Sequence, residues 1–273
     1  MRNPKRTLNI AHRGARSLAP ENTLAAARKG FEIGADLWEL DIAMTKDGEL
    51  ILIHDNTFER TSNIASVYPE RKKARAHEFT LAELRKLDMG RWFIQTDPFQ
   101  QIAAGAVSKT ELDRYVGEAI PTLREALQFT KDHNWQVNVE IKDASGTPSS
   151  SSIVEKVVGV INELNMAERV MISSFNHSYL QRVKSANPYI LTAALVEKPD
   201  PDPLALLKRL NAQAYNPSSR AITPGTIHLL REAGYDVYVY TVNDIPTMKA
   251  LVDAGVSGIF TDFPQLLKEV LIK

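Results

Sequence analysis

Three segments of this chain repeat one order of events. FEIGADLWELD (31–41), REAGYDVYVYTV (231–242) and VDAGVSGIFTD (252–262) each read as a helix end, a glycine stop, two or three turn residues and then a strand. Helices that alternate with strands build a parallel sheet, because two parallel strands need a crossover between them. QVNVEIK, VMISS, ILTAALV and AQAYN extend the pattern through the middle of the chain. Eight parallel strands result, at 8–12, 37–45, 136–142, 170–174, 190–196, 212–216, 236–242 and 258–262. Eight such units in 273 residues predict a closed α/β barrel, (β/α)8. A doubly wound open sheet is the alternative.

Helix signals fall between these strands. Pro20 precedes the first helix, Asn22 or Thr23 caps it, and Gly34 stops it. Thr122-x-x-Glu125 and Ser152-x-x-Glu155 have the form of capping boxes, opening helices to about His133 and Leu164. Residues 204–210, 224–233 and 245–254 are the remaining helical stretches.

Leu37 to Asp55 departs from the parallel pattern. Polar and apolar residues alternate from Trp38, Lys46-Asp47-Gly48 supplies turn chemistry, and Glu49 to Asp55 returns as an apolar run, which reads as a hairpin. A two-residue Asp47-Gly48 turn would set Lys46 opposite Glu49 and Asp41 opposite His54. Glu39 then shares a face with Asp41, and the three groups lie within about 5 to 8 Å of each other. Such a cluster is costly to bury without a cation or an anionic ligand.

Charge and composition narrow the functions. Thirty-three basic residues balance thirty-three acidic ones, so no positive field points to nucleic acid. The chain has no cysteine, which excludes disulfides, thiolate metal sites and a cysteine nucleophile. No stretch approaches the roughly 20 apolar residues of a membrane span. The basic start, MRNPKRTLNIAHRG, has no apolar run behind it. No signal peptide is therefore read, and the cytoplasm is expected unless a leader has been removed.

The chain is expected to form one barrel domain, 1–273, interrupted at 56–120 by an inserted subdomain over the strand ends. Thr80-x-x-Glu83 caps a helix there running to Leu87, and Trp92, Phe93 and Phe99 form either an apolar wall or the insert's own core.

Barrel enzymes react at the C-terminal ends of their strands. Those ends carry His12 and Arg13, then Glu39 and Asp41, His54 on the returning arm, Glu140 with Lys142, and Ser174. Three carboxylates without cysteine suit a hard divalent cation, Mg²⁺ or Ca²⁺. Arg13 and Lys142 suit an anion such as phosphate, and two histidines suit acid–base catalysis near neutral pH. Together they read as metal-assisted phosphoryl-ester chemistry.

HRGARSLAPENTLAA, ELDIAMTKDGELILIHDNTFERTS, GEAIPTLREAL, VEIK, ISSF, TVND and GIFTDFP occur in this order. In them the chain resembles the glycerophosphodiester phosphodiesterase family over nearly its whole length. The resemblance implies a barrel enzyme that hydrolyses glycerophosphodiesters to glycerol 3-phosphate and an alcohol. It implies His12 and His54 as the acid–base pair, Glu39, Asp41 and Glu140 as ligands of one divalent cation, and Arg13 and Lys142 as phosphate-holding cations. Phe175 of the SF motif and Tyr240, where the family often has Trp, become candidate substrate contacts. Asn22 and Thr23 match the family's PENT and are read as helix capping and loop bracing. His77, His133, His177 and His228 are read as surface or packing residues. Two further readings compete. A lipid-cleaving enzyme would need an exposed apolar rim at Trp92, Phe93 and Phe99, and a non-catalytic binding barrel would need a damaged catalytic set.

Overall fold

The computed structural model describes residues 6–272; part of the stretch read for a leader, 1–5, lies outside them. The chain opens with β1 (Leu8–Ala11), α1 (Leu24–Ile33), β2 (Leu37–Met44) and β3 (Leu50–Leu52). Four short helices follow: α2 (Ile64–Val67), α3 (Leu81–Leu84), α4 (Arg91–Thr96) and α5 (Lys109–Tyr115). Strict alternation then resumes with α6 (Leu123–Asp132), β4 (Val137–Ile141), α7 (Ile153–Glu163), β5 (Val170–Ser174), α8 (His177–Ala186) and β6 (Leu191–Val196). It ends with α9 (Pro203–Leu210), β7 (Ala214–Pro217), α10 (Pro224–Glu232), β8 (Asp236–Val239), α11 (Ile245–Asp253), β9 (Gly258–Thr261) and α12 (Pro264–Ile272).

All strands but β3 pair in parallel, in the order β1-β2-β4-β5-β6-β7-β8-β9. The sheet closes on itself, because Ile10 of β1 pairs with Leu37 of β2 on one side and with Phe260 of β9 on the other. This is the (β/α)8 barrel, and the closure excludes the open sheet. Side chains alternate along each strand. Trp38, Leu40 and Ile42 of β2 join the apolar layer under the helices, whereas Leu37 packs with Ile10, Met171, Tyr238 and Phe260 in the barrel interior. Glu39 and Asp41 follow Leu37 on the same inward row.

The helix-stop glycines behave as their positions require: Gly34, Gly234 and Gly255 all have positive φ. Thr23 caps α1, and the boxes at Thr80 and Thr122 form. The Ser152 box does not form. Ser152 makes no side-chain cap bond, and Glu155 instead accepts from Arg182 on α8. Two helices carried no readable start. The α8 cap residue Asn176 makes no capping bond, and α12 begins at Pro264 close behind the last strand.

The hairpin register differs from expectation by one residue. Met44 pairs with Leu50 and Ile42 with Leu52, so Thr45 faces Glu49 across a three-residue loop in which only Gly48 has positive φ. Asp41 therefore lies opposite Ile53, whose N–H donates to the Asp41 carbonyl at 3.0 Å, and not opposite His54. The cause is tertiary. The Asp47 carboxylate accepts from the Leu81 N–H at the start of α3, and the Lys46 N–H donates to the Phe79 carbonyl. His54 reaches the barrel mouth from the loop after β3.

Residues between β3 and α6 build two apolar clusters. Phe58, Ile64, Phe79, Leu84 and Leu87 pack on Ile51 and Ile53. Trp92 and Phe93 are buried with Tyr115 against Leu18, Ala19 and Ala26, so neither forms an exposed wall. Phe99 meets Phe263 edge-on at 5.5 Å and lies under the Arg16 guanidinium.

Candidate active site

Parallel register places Asp41 beside Glu140, and Glu39 lies one inward position below Asp41 on β2. One carboxylate oxygen from each of Glu39, Asp41 and Glu140 lies within 4.8 Å of the others, in a buried setting. Burial, together with repulsion from Asp41 and Glu140, drives the Glu39 carboxyl well above its ordinary range. Burial and Asp41 push Glu140 the same way. Burial opposes ionisation of Asp41 too, but Arg13, Lys142 and His54 outweigh it and hold the group at about 2. Three carboxylates in conflict over their charge are what a divalent cation relieves.

The two histidines are each held by a carboxylate. His12 Nδ1 lies 2.6 Å from Asp262 Oδ1, which assigns the proton to Nδ1 and leaves Nε2 facing the cavity, 3.9 Å from Glu39. Asn243 donates to the other Asp262 oxygen at 2.7 Å. His54 Nδ1 lies 2.8 Å from Asp55, which accepts from Arg60. Burial first, then the Arg13 charge, lower the His12 pKa below its ordinary value.

Between the histidines lies a buried ionic hub. Glu21 is 4% exposed and takes charged contacts from Arg13, Arg16 and Arg60 at 2.7 to 2.9 Å. Burial works against its charge, yet the Arg60 hydrogen bonds and the Arg16 and Arg13 charges hold it far below the ordinary carboxylate range. Arg13 takes a positive φ of 54°, donates its N–H to Glu39 at 2.7 Å and brings Nε to 3.4 Å from Asp41. Asn22 hydrogen-bonds Asp41 twice, through its amide to the carboxylate and through its oxygen from the Asp41 N–H. Lys142 pairs with Glu140 at 2.8 Å and lies 3.5 Å from Asp41.

These groups line a cavity of about 250 Å³ at the C-terminal end of the barrel. His12, Arg13, Glu39, His54, Glu140, Lys142, Phe175 and Tyr240 all reach it, and an Asp41 carboxylate oxygen lies within 4.8 Å of one on each of Glu39 and Glu140. Ser174 does not. Its hydroxyl is buried on the Ile141 carbonyl, and the inward residue of β5 is Ser173. The remaining histidines are dispersed: His133 stacks on Phe129, His177 bonds the Leu195 carbonyl, His228 is exposed, and His77 lines a neighbouring cavity. Sequence reasoning assigned no role to Asp55, Arg60, Glu21, Asn243 or Asp262. Asp262 had a usable signal, since it directly follows the last strand, at the end of the barrel where the chemistry sits.

Known proteins share this framework. A glycerophosphodiester phosphodiesterase of Caldanaerobacter subterraneus subsp. tengcongensis is 36% identical over 98% of this chain and 99% of its own length. One from Bacillus subtilis is 30% identical over 98% of this chain and 87% of its own. Among solved structures, an Oleispira antarctica phosphodiesterase in complex with the product sn-glycerol-3-phosphate superposes with a TM-score of 0.77 at 24% identity, covering 97% of this chain and 96% of that one. A glycerophosphodiester phosphodiesterase from Agrobacterium tumefaciens gives 0.73 at 26% identity over 96% and 99%. Residues 12–266 match the profile of the glycerophosphoryl diester phosphodiesterase family. The match begins at the histidine that opens the cavity and runs past Asp262, which holds it. The chain belongs to the glycerophosphoryl diester phosphodiesterase family.

Proposed function

We propose that this chain hydrolyses glycerophosphodiesters to glycerol 3-phosphate and an alcohol, with one divalent cation and two histidines. The observation that carries the reading is the convergence of His12, His54 and three buried carboxylates on one cavity. Family membership and the full-length relatives support the reaction class. The chain would act as one barrel domain, with 56–120 inserted after the hairpin.

Glu39, Asp41 and Glu140 would hold the cation, Mg²⁺ or Ca²⁺. An all-oxygen donor set without sulfur or imidazole fits either. When bound, the cation supplies charge neutralisation for the phosphate and for the charge that develops on it. Arg13 and Lys142 would hold the phosphate oxygens, their positions fixed by Glu21, Asp41 and Glu140. One histidine would take the proton of the attacking oxygen, and the other would give one to the departing alcohol. Asp262 and Asp55 hold each ring by Nδ1, so Nε2 is the working atom in both. Phe175 and Tyr240 would form the substrate wall above Leu195 and Phe260.

Glycerol 3-phosphate release from glycerophosphocholine and glycerophosphoethanolamine tests the reading, before and after EDTA and again with Mg²⁺ or Ca²⁺ restored. Release that disappears on chelation and returns with metal is expected. Release unaffected by complete chelation would overturn the metal-dependent reading. The lipid-surface alternative called for an exposed apolar rim at Trp92, Phe93 and Phe99; Trp92 is 8% exposed, Phe93 is fully buried and Phe99 is half-buried, which favours the soluble diester as substrate. Among the described residues no helix is long and apolar enough to cross a membrane.

A further inference from the structure

We propose that Phe175, Tyr240 and Glu197 form a subsite for a positively charged ammonium headgroup on the alcohol side of the diester. The proposal rests on the phosphodiesterase reading and goes on to the class of alcohol released. The Phe175 and Tyr240 rings meet edge to face, their centroids 6.0 Å apart and their planes at 89°. Two rings at right angles make a corner that offers a cation an aromatic face. Phe175 is 43% exposed although it lines the cavity, so this ring is not spent on core packing. Tyr240 is held in place by its hydroxyl, which donates to the Val196 carbonyl at 2.9 Å and lies 3.1 Å from Glu197 Oε2.

Glu197 supplies the charge. It lines the same cavity, and among the described residues it makes no ion pair with Lys, Arg or His. The other carboxylates near the cavity have partners of their own: Asp262 pairs with His12 and Arg16, Glu140 with Lys142 and Asp41 with Arg13, while Glu39 accepts from the Arg13 N–H in the cluster that would hold the cation. Burial and the Glu197 charge both push the Tyr240 phenol up, so it stays protonated and keeps donating. The cavity is thus charge-ordered. Arg13 is buried and Lys142 half-buried among the three carboxylates that would hold the cation, where the phosphate would sit, whereas Glu197 and Phe175 are exposed. A zwitterion with an inner phosphate and an outer ammonium fits this order better than a neutral or anionic alcohol does.

The test compares kcat/KM for glycerophosphocholine with that for glycerophosphoglycerol, whose alcohol is uncharged, in the wild type, Glu197→Gln and Glu197→Lys. A choline preference in the wild type is expected. Its ratio should fall about fivefold in Glu197→Gln and further in Glu197→Lys, mainly through KM, and should weaken at high salt. Release of product from the glycerol diester by the same samples reports folded enzyme. An identical ratio in all three proteins, with both diesters hydrolysed, would overturn the subsite and leave the phosphodiesterase reading intact. No product from any diester with the metal-loaded wild type would overturn both.

Discussion

His12 Nδ1 lies 2.6 Å from Asp262 Oδ1, although 250 residues separate them in the chain. The barrel makes this neighbour pair by pairing β1 directly with β9. Burial disfavours the Asp262 charge, but the His12 hydrogen bond and charge, the Arg16 charge and the Asn243 hydrogen bond together outweigh it and hold the carboxyl at about 2. It is therefore ionised across any assay range and fixes the imidazole tautomer. Asp262→Asn should lower kcat about 10²-fold with a smaller change in KM, and Asp262→Glu should recover part of the loss. Steady-state kinetics check this, and an unchanged kcat in Asp262→Asn would contradict it.

Glu21 predicts an acid limb in stability. Its folded pKa is depressed by Arg60, Arg16 and Arg13 below the ordinary 4.5, so the folded state releases its proton more readily than the unfolded chain does. The contribution is fully present above pH 4.5 and is lost as pH falls toward the folded value. Glu21→Gln leaves three arginines around a neutral amide and should cost on the order of 3 kcal/mol at pH 7. The difference between wild type and variant should shrink as the pH is lowered, as measured by urea unfolding. A difference independent of pH would contradict the account.

Crowding of Glu39, Asp41 and Glu140 predicts a thermal signature of metal binding. Saturating Mg²⁺ or Ca²⁺ at about 100 times its dissociation constant stabilises the folded state by about 2.7 kcal/mol, a Tm rise of several degrees. Glu39→Gln should abolish that rise. It should also leave the metal-free protein at least as stable as the wild type, because burial, Asp41 and Glu140 all disfavour a charge at Glu39 and a neutral amide removes that conflict. Differential scanning calorimetry with EDTA and with metal measures both. A full metal-induced rise in the variant would contradict the assignment.

Gly14 predicts a structural sensitivity beside the site. Its φ is 80°, and a Cβ there would lie 2.6 Å from both the carbonyl carbon and the Cβ of Ala26 in α1. Gly14→Ala must push the His12-Arg13 turn away from α1. The cost should be on the order of 3 kcal/mol, roughly 6 to 12 °C in Tm, with activity lost alongside. An unchanged Tm would contradict this.

The fold was legible because its signals are local. Helix, glycine stop and strand follow each other within a dozen residues in three segments, and the barrel is read from a count of eight parallel strands. The hairpin register was not legible, because Asp47 answers to Leu81, 34 residues further on. The clustered carboxylates and the two histidines stood out because strand ends expose them in the sequence. The groups that hold them did not. Glu21 meets Arg60 across 39 residues and His12 meets Asp262 across 250, and no periodicity marks either pairing. Glu155 shows the converse: a capping box complete in sequence is lost once Arg182 competes for its carboxylate.

The most direct test of the central claim is glycerol 3-phosphate release by His12→Ala and His54→Ala beside the wild type, each with its metal-induced Tm rise measured. Each variant should lose at least about 10²-fold in turnover while keeping the Tm rise, because the carboxylates that would hold the cation remain. Full activity in His54→Ala, with the metal still bound, would contradict the two-histidine mechanism.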